Sequence, residues 1–198
     1  MSDTKLRDLE RRWRETGSPD DEAAYLLERV RVGDLTQERL ELAAYCGHEG
    51  ARRGLGISAP PPTGAEKWIQ CLTARFGAAV GLRALLLLLR RVPHNGPPAL
   101  VQEARELLDD GIRALDESAA APDLGHGADE LRYQAWDLPN GTFKDWVGAV
   151  ARAALAVNQF VAQDWGVKGD PGLSLLSVKV PAKARTDVIS WAISRRVP

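Results

Sequence analysis

Cysteine and histidine are scarce in this chain. Two cysteines, Cys46 and Cys71, and three histidines, His48, His94 and His126, occur in 198 residues. That is too few for a disulfide framework and short of the four clustered ligands a structural zinc site uses. Both cysteines fall in apolar helical patterns that suit small buried thiols. An excess of either charge is also missing: 26 Lys and Arg face 27 Asp and Glu, for a net charge of −1. The basic footprint of a nucleic-acid binder is therefore lacking, and nucleic acid is disfavoured as a partner. No apolar run reaches the ~20 residues a bilayer crossing requires. The most apolar window, Phe76 to Leu89, is interrupted by Arg83 and flanked by Arg75 and Arg90. The first twenty residues are charged throughout and carry no secretory apolar stretch, which predicts a cytoplasmic protein without a membrane partner.

The familiar catalytic signatures are missing too. Neither G-x-x-x-x-G-K-[ST] nor G-x-G-x-x-G occurs to cradle phosphates, and no G-x-S-x-G elbow presents a nucleophile. The segment Cys46-Gly47-His48-Glu49 begins like a zincin helix, but Arg52 stands where the second histidine would be. Cys46 and His48 remain a pair of ligand types without a second pair beside them. His94 and His126 sit in Pro/Gly-rich stretches that read as solvated loops. Acidic neighbours occur at Asp20 to Glu22, Asp109-Asp110, Asp116-Glu117 and Asp129-Glu130. Adjacent positions on a helix point in different directions, so such neighbours do not make a catalytic dyad by themselves. The sequence thus predicts no catalytic, metal or cofactor-binding residues and no cofactor.

What is present is helical periodicity. Leu6, Leu9 and Trp13 lead to a stop at Gly17. Ser18 as cap, Pro19 at the first helical position and three following carboxylates then restart a helix with Ala23, Leu26, Leu27 and Val30 on one face. Asp34 and Gln37 have capping-box spacing for a third helix ending at Gly47, and a fourth fits His48 to Arg53. Gly54 to Gly64 contains three successive prolines. The chain is accordingly divided into an N-terminal helical unit (1–56), a Pro-rich linker (57–64) and a C-terminal helical bundle (65–198).

In the bundle, Ala65 to Arg91 reads as one helix of about seven turns whose all-round leucines mark it as central. Gly77 and Gly81, four apart, permit either close helix approach or a kink. Further helices are predicted over Ala99 to Ser118, Ala128 to Trp136, Thr142 to Trp165 (capped by Thr142 with Asp145) and Ala182 to Arg195. Leu173 to Val180 alternates like a strand but has no second strand to pair with, so it is read as irregular or helical. The sum is an all-α fold of about eight or nine helices.

Of six tryptophans, four are expected in the core, since tryptophan fills gaps between helices and also anchors interfaces. Lys179, Lys183, Arg185, Arg195 and Arg196 against Asp187 form a local basic cluster near the C-terminus. The cluster fits favourable cations at a helix end, or an acidic partner or nucleic acid.

The stretch Leu26 to Gly56, with ERLELAAYCGHEGARRGLG as its most recognisable part, resembles an N-terminal segment of an uncharacterised bacterial helical family. The composition of DWVGAVARAALAVNQFVAQDW is similar to that of helical immunity proteins. The first resemblance implies a helix-hairpin unit of the helical-repeat kind, which binds other proteins through an exposed face. Together these features predict a non-enzymatic protein–protein interaction module, an adaptor or regulator in a bacterial cytoplasmic assembly, with a homo-oligomer also open. The alternatives are an immunity or antitoxin-like protein that binds and inhibits a toxin, and an enzyme with an unrecognised helical active site.

Overall fold

A computed structural model describes residues 2–58, 64–92, 95–117, 124–139, 141–162 and 181–194. Among them are ten helices and no extended strand, so the all-α bundle class holds with a higher helix count than the sequence suggested. The segment Leu173 to Val180 lies outside the described residues. No helix among the described residues is long and apolar enough to cross a membrane. The chain divides into two compact units, residues 1–61 with 185–198 and residues 62–184.

The first unit holds α1 (Ser2–Thr16), α2 (Pro19–Arg31), α3 (Gln37–Tyr45), α4 (Glu49–Leu55) and most of α10 (Ala182–Ile193). Ser18 caps α2 as predicted, its side chain accepting from the amide of Asp20. The buried face of α2 differs from the expected one. Tyr25 stacks on Trp13 at 5.4 Å between ring centres, while Leu27 is left 41% exposed. A helical stripe specifies an apolar arc, and the position of α1 against α2 selects which edge of that arc is covered. The cap of α3 is Thr36, whose Oγ1 accepts from the amide of Arg39. Asp34 instead accepts from Nε of Arg29 at 2.7 Å. Arg29 Nη1 also donates to the carbonyl of Ile193 at 2.7 Å, and Arg39 Nη2 donates to that of Trp191 at 2.5 Å. Two arginines thereby satisfy the last carbonyls of α10, where a helix carries partial negative charge. Sequence grouping placed this helix with the bundle after the linker. Periodicity reveals that a helix has an apolar face but not which elements receive it.

The second unit holds α5 (Ala65–Phe76), α6 (Ala78–Arg91), α7 (Pro98–Glu117), α8 (Leu124–Trp136) and α9 (Thr142–Val161). The predicted seven-turn helix is broken at Gly77, whose φ of 91° lies outside the range other residues adopt readily. The chain reverses there and lays α6 against α5. Gly81 lets them meet: a Cβ on it would fall 1.9 Å from Oγ1 of Thr73. Leu82 and Leu85 to Leu89 are all buried, because α6 contacts α5, α7 and α9 and so is covered on several sides, as its composition predicts. Arg83 is buried among them and pairs with Asp116 of α7. At the end of α6, the carbonyl of Leu89 would ordinarily accept from residue 93, a proline with no N–H. The buried indole of Trp146 supplies the donor instead, at 3.0 Å.

Candidate functional site

The pair α8 and α9 makes the most extensive helix contact of the second unit. From α8, Leu124, Ala128, Leu131 and Ala135 are buried, and α9 turns Trp146, Val147, Val150, Ala153, Ala154 and Val157 inward. No side-chain cap starts α9: Gly141 stands in the cap position, with Asp145 in the first turn, so the predicted Thr142 cap is not used. These buried faces leave two outward stripes. On α8 it is Asp129, Arg132, Tyr133 and Trp136, at steps of three, one and three; on α9 it is Lys144, Asp145, Gly148 and Arg152. Both follow the helical repeat, so each presents a single face. Together they line an open cleft of about 610 Å³.

Tyr133 is 82% exposed and Trp136 78%. Among the described residues the only other exposed large apolar side chain is Leu27, in the first unit. Scattered exposed hydrophobics are normal, but two large aromatics one turn apart at the rim of a cleft form a patch. The backbone beneath them is held firmly. The ammonium of Lys144 donates to the carbonyl of Trp136 at 2.9 Å and to that of Leu138 at 3.3 Å, closing the C-terminal end of α8. It also lies 6.0 Å from the Trp136 ring centre, within cation–π range.

The charges of the cleft differ in how far they are satisfied. Arg132 pairs with Asp129 at 3.5 Å, and Lys144 is held by the two carbonyls. Arg152 lies over Gly148, where a Cβ would sit 3.4 Å from its Nη1. Its Nη2 is out of solvent and has no hydrogen-bond partner among the described residues.

The residues singled out from the sequence lie elsewhere and are occupied structurally. His48 is the N-cap of α4: Nδ1 accepts from the amide of Ala51 at 3.1 Å, while Nε2 faces Glu22 at 3.4 Å. An imidazole whose Nδ1 lone pair is spent on a backbone amide has no free base to offer there. Cys46 is buried at the end of α3, and loss of solvent pushes its thiol up to about 12, away from the thiolate form. No group of three metal-ligating side chains occurs among the described residues. His126 lies on α8, 78% exposed, 3.9 Å from Glu130, and His94 falls outside the described residues.

The acidic neighbours whose side chains are described turn to separate basic partners: Asp20 to Arg53, Asp21 to Arg12, Glu22 to His48, Asp109 to Arg90, Asp110 to Arg113, Asp116 to Arg83, Asp129 to Arg132 and Glu130 to His126. Of the basic cluster, Lys183 is exposed, whereas Arg185 is partly buried near Cys46 and Tyr45, and its other members lie outside the described residues. Among the five described tryptophans, Trp68 and Trp146 are buried, Trp13 and Trp191 half-buried, and Trp136 exposed.

The cleft was legible in part. Leu124, Ala128, Leu131 and Ala135 define the buried arc of α8, and at about 100° per residue Tyr133 falls nearly opposite it. A helical wheel marks that tyrosine as outward. No family model matches the chain, and no match was found among curated proteins or solved structures.

Proposed function

We propose that this chain is a protein-binding module that acts by docking a partner on the α8–α9 cleft rather than by chemistry. The observation that carries the reading is the joint exposure of Tyr133 and Trp136 beside Arg152. Tyrosine, tryptophan and arginine are the residue types that dominate interface hot spots. They bury a large area while fixing few torsions, and a rigid helix pair spares the partner the cost of ordering them. The N-cap role of His48 and the basic partners of the carboxylates also favour binding over catalysis, since those groups are committed to holding the helices.

The test uses in-cell photocrosslinking from position 133, followed by affinity measurement with the purified crosslinked protein. Tyr133→Ala with Trp136→Ala is expected to weaken binding by about 30-fold or more, the scale of a hot-spot loss. Leu27→Ala, which removes the other exposed apolar side chain, is expected to leave binding unchanged. Equal affinity of the double variant and the wild type would remove the basis of the reading. A partner whose toxic activity is suppressed by binding would make the module an inhibitor, and one that brings further subunits would make it an adaptor.

A further inference from the structure

We infer that the cleft recognises an acidic peptide segment, with a carboxylate seated on Arg152 and an adjacent apolar side chain laid against Tyr133 and Trp136. This deepens the docking reading and rests on it.

The argument starts from what the cleft leaves unsatisfied. Arg132 and Lys144 already have acceptors, and Arg152 has none among the described residues. A guanidinium offers five donors in a planar fork that matches a carboxylate with two parallel bonds. Arg152 is half-buried and its Nη2 has no acceptor, so a carboxylate meeting the exposed part of the guanidinium pairs with a group that the fold leaves short of hydrogen bonds. Gly148, one turn before it, lies beneath the guanidinium, and a Cβ there would stand in ordinary contact with it. The aromatics flank this point, and an apolar contact there excludes water from the ion pair.

The sign of the partner follows from the neighbours. Asp129 is neutralised by Arg132, whereas Asp145 lies only three positions from Gly148, over which the Arg152 guanidinium rests. The cleft as a whole carries three cations and two carboxylates, a net charge of +1 that favours an acidic over a basic segment. Single-stranded nucleic acid also stacks on exposed aromatics, but it needs a continuous basic track, which Asp129 and Asp145 interrupt. A short segment with one or two carboxylates fits both features.

The experiment pans a displayed random peptide library against the full chain, with counter-selection on the Tyr133→Ala, Trp136→Ala double variant. The enriched sequences are expected to pair Asp or Glu with an aromatic or aliphatic residue. Their synthetic copies are expected to lose about tenfold or more in affinity on Arg152→Met, in line with loss of a charge-assisted bond, to retain part of it on Arg152→Lys, and to weaken as salt rises. Thermal melts of the Arg152 variants at or above the wild-type midpoint show that lost binding is not lost folding, because the replaced group is itself short of a partner. Enriched peptides that require the aromatics but lack acids and ignore Arg152 overturn this inference and leave the docking reading standing. Peptides indifferent to both sets of variants, or no enrichment, overturn both. Oligothymidylate binding through Arg152 more tightly than any enriched peptide replaces the acidic segment with nucleic acid.

Discussion

Removing one hydrogen from the ring of Trp146 tests how the second unit is held. Its indole N–H is buried and donates at 3.0 Å to the carbonyl of Leu89, whose normal helical donor is missing because residue 93 is proline. Trp146→Phe deletes that donor and leaves a carbonyl out of water with no replacement in sequence. An orphaned buried acceptor costs about 1–3 kcal/mol, and the volume lost with the smaller ring adds up to roughly 1 kcal/mol. The expected total is therefore about 1–4 kcal/mol. With a urea slope of about 2 kcal/mol/M, the unfolding midpoint of this unit falls by roughly 0.5–2 M. The assay is urea denaturation followed by far-ultraviolet circular dichroism. Replacing the indole by its benzothiophene isostere keeps the volume and removes only the donor, and about 1–3 kcal/mol is expected from that change alone. A benzothiophene variant as stable as the wild type, within about 0.5 kcal/mol, would refute the reasoning, since the carbonyl would then need no donor.

Three further changes probe other parts of the molecule. Gly81→Ala drives a methyl group to 1.9 Å from Oγ1 of Thr73 and is expected to cost about 1–3 kcal/mol, with Thr73→Ala in the same chain recovering a measurable part in a double-mutant cycle. His48→Ala removes the cap of α4 and is expected to cost about 0.5–2 kcal/mol, whereas His48→Asn, another acceptor, keeps most of the stability; equal melts of the two would contradict the capping role. Glu28 is 4% exposed and accepts from Arg31 and Lys5, which hold its carboxyl well below the usual 4.5, at about 2. A lowered folded pKa means stability present above pH 4.5 and lost as pH falls towards 2, so an acid titration of Glu28→Gln is expected to show a shallower decline than the wild type across that window.

Much of the helical content was legible because apolar repeats, glycine stops and Ser18 with Pro19 act locally. The failures have local causes as well. Phe76 and Val80 keep the apolar periodicity running through Gly77, so the pattern reads as one helix although Gly77 and Gly81 left a kink open, and the positive φ at Gly77 breaks it. Asp34 and Thr36 are both good capping residues two positions apart, and Arg29, reaching from the preceding helix, decides between them by taking the carboxylate. The cleft was harder to read. Tryptophan is apolar enough to be assigned to the core, and only the α8–α9 packing leaves Trp136 outside. The unsatisfied guanidinium of Arg152 is invisible to any one-dimensional pattern, because it depends on where the side chain comes to rest and on Asp129 pairing with Arg132 instead.

The bonds from Arg29 and Arg39 to the carbonyls of Ile193 and Trp191 carry a consequence for biosynthesis. A ribosome adds about 5–20 residues per second, so α2 and α3 emerge roughly ten seconds or more before the turn of helix they are built to grip. During that interval both guanidiniums wait without these acceptors while the intervening residues fold. Nascent-chain proteolysis would then show late protection of the earliest segment, and deletion from residue 185 onward would weaken helices some 150 positions upstream.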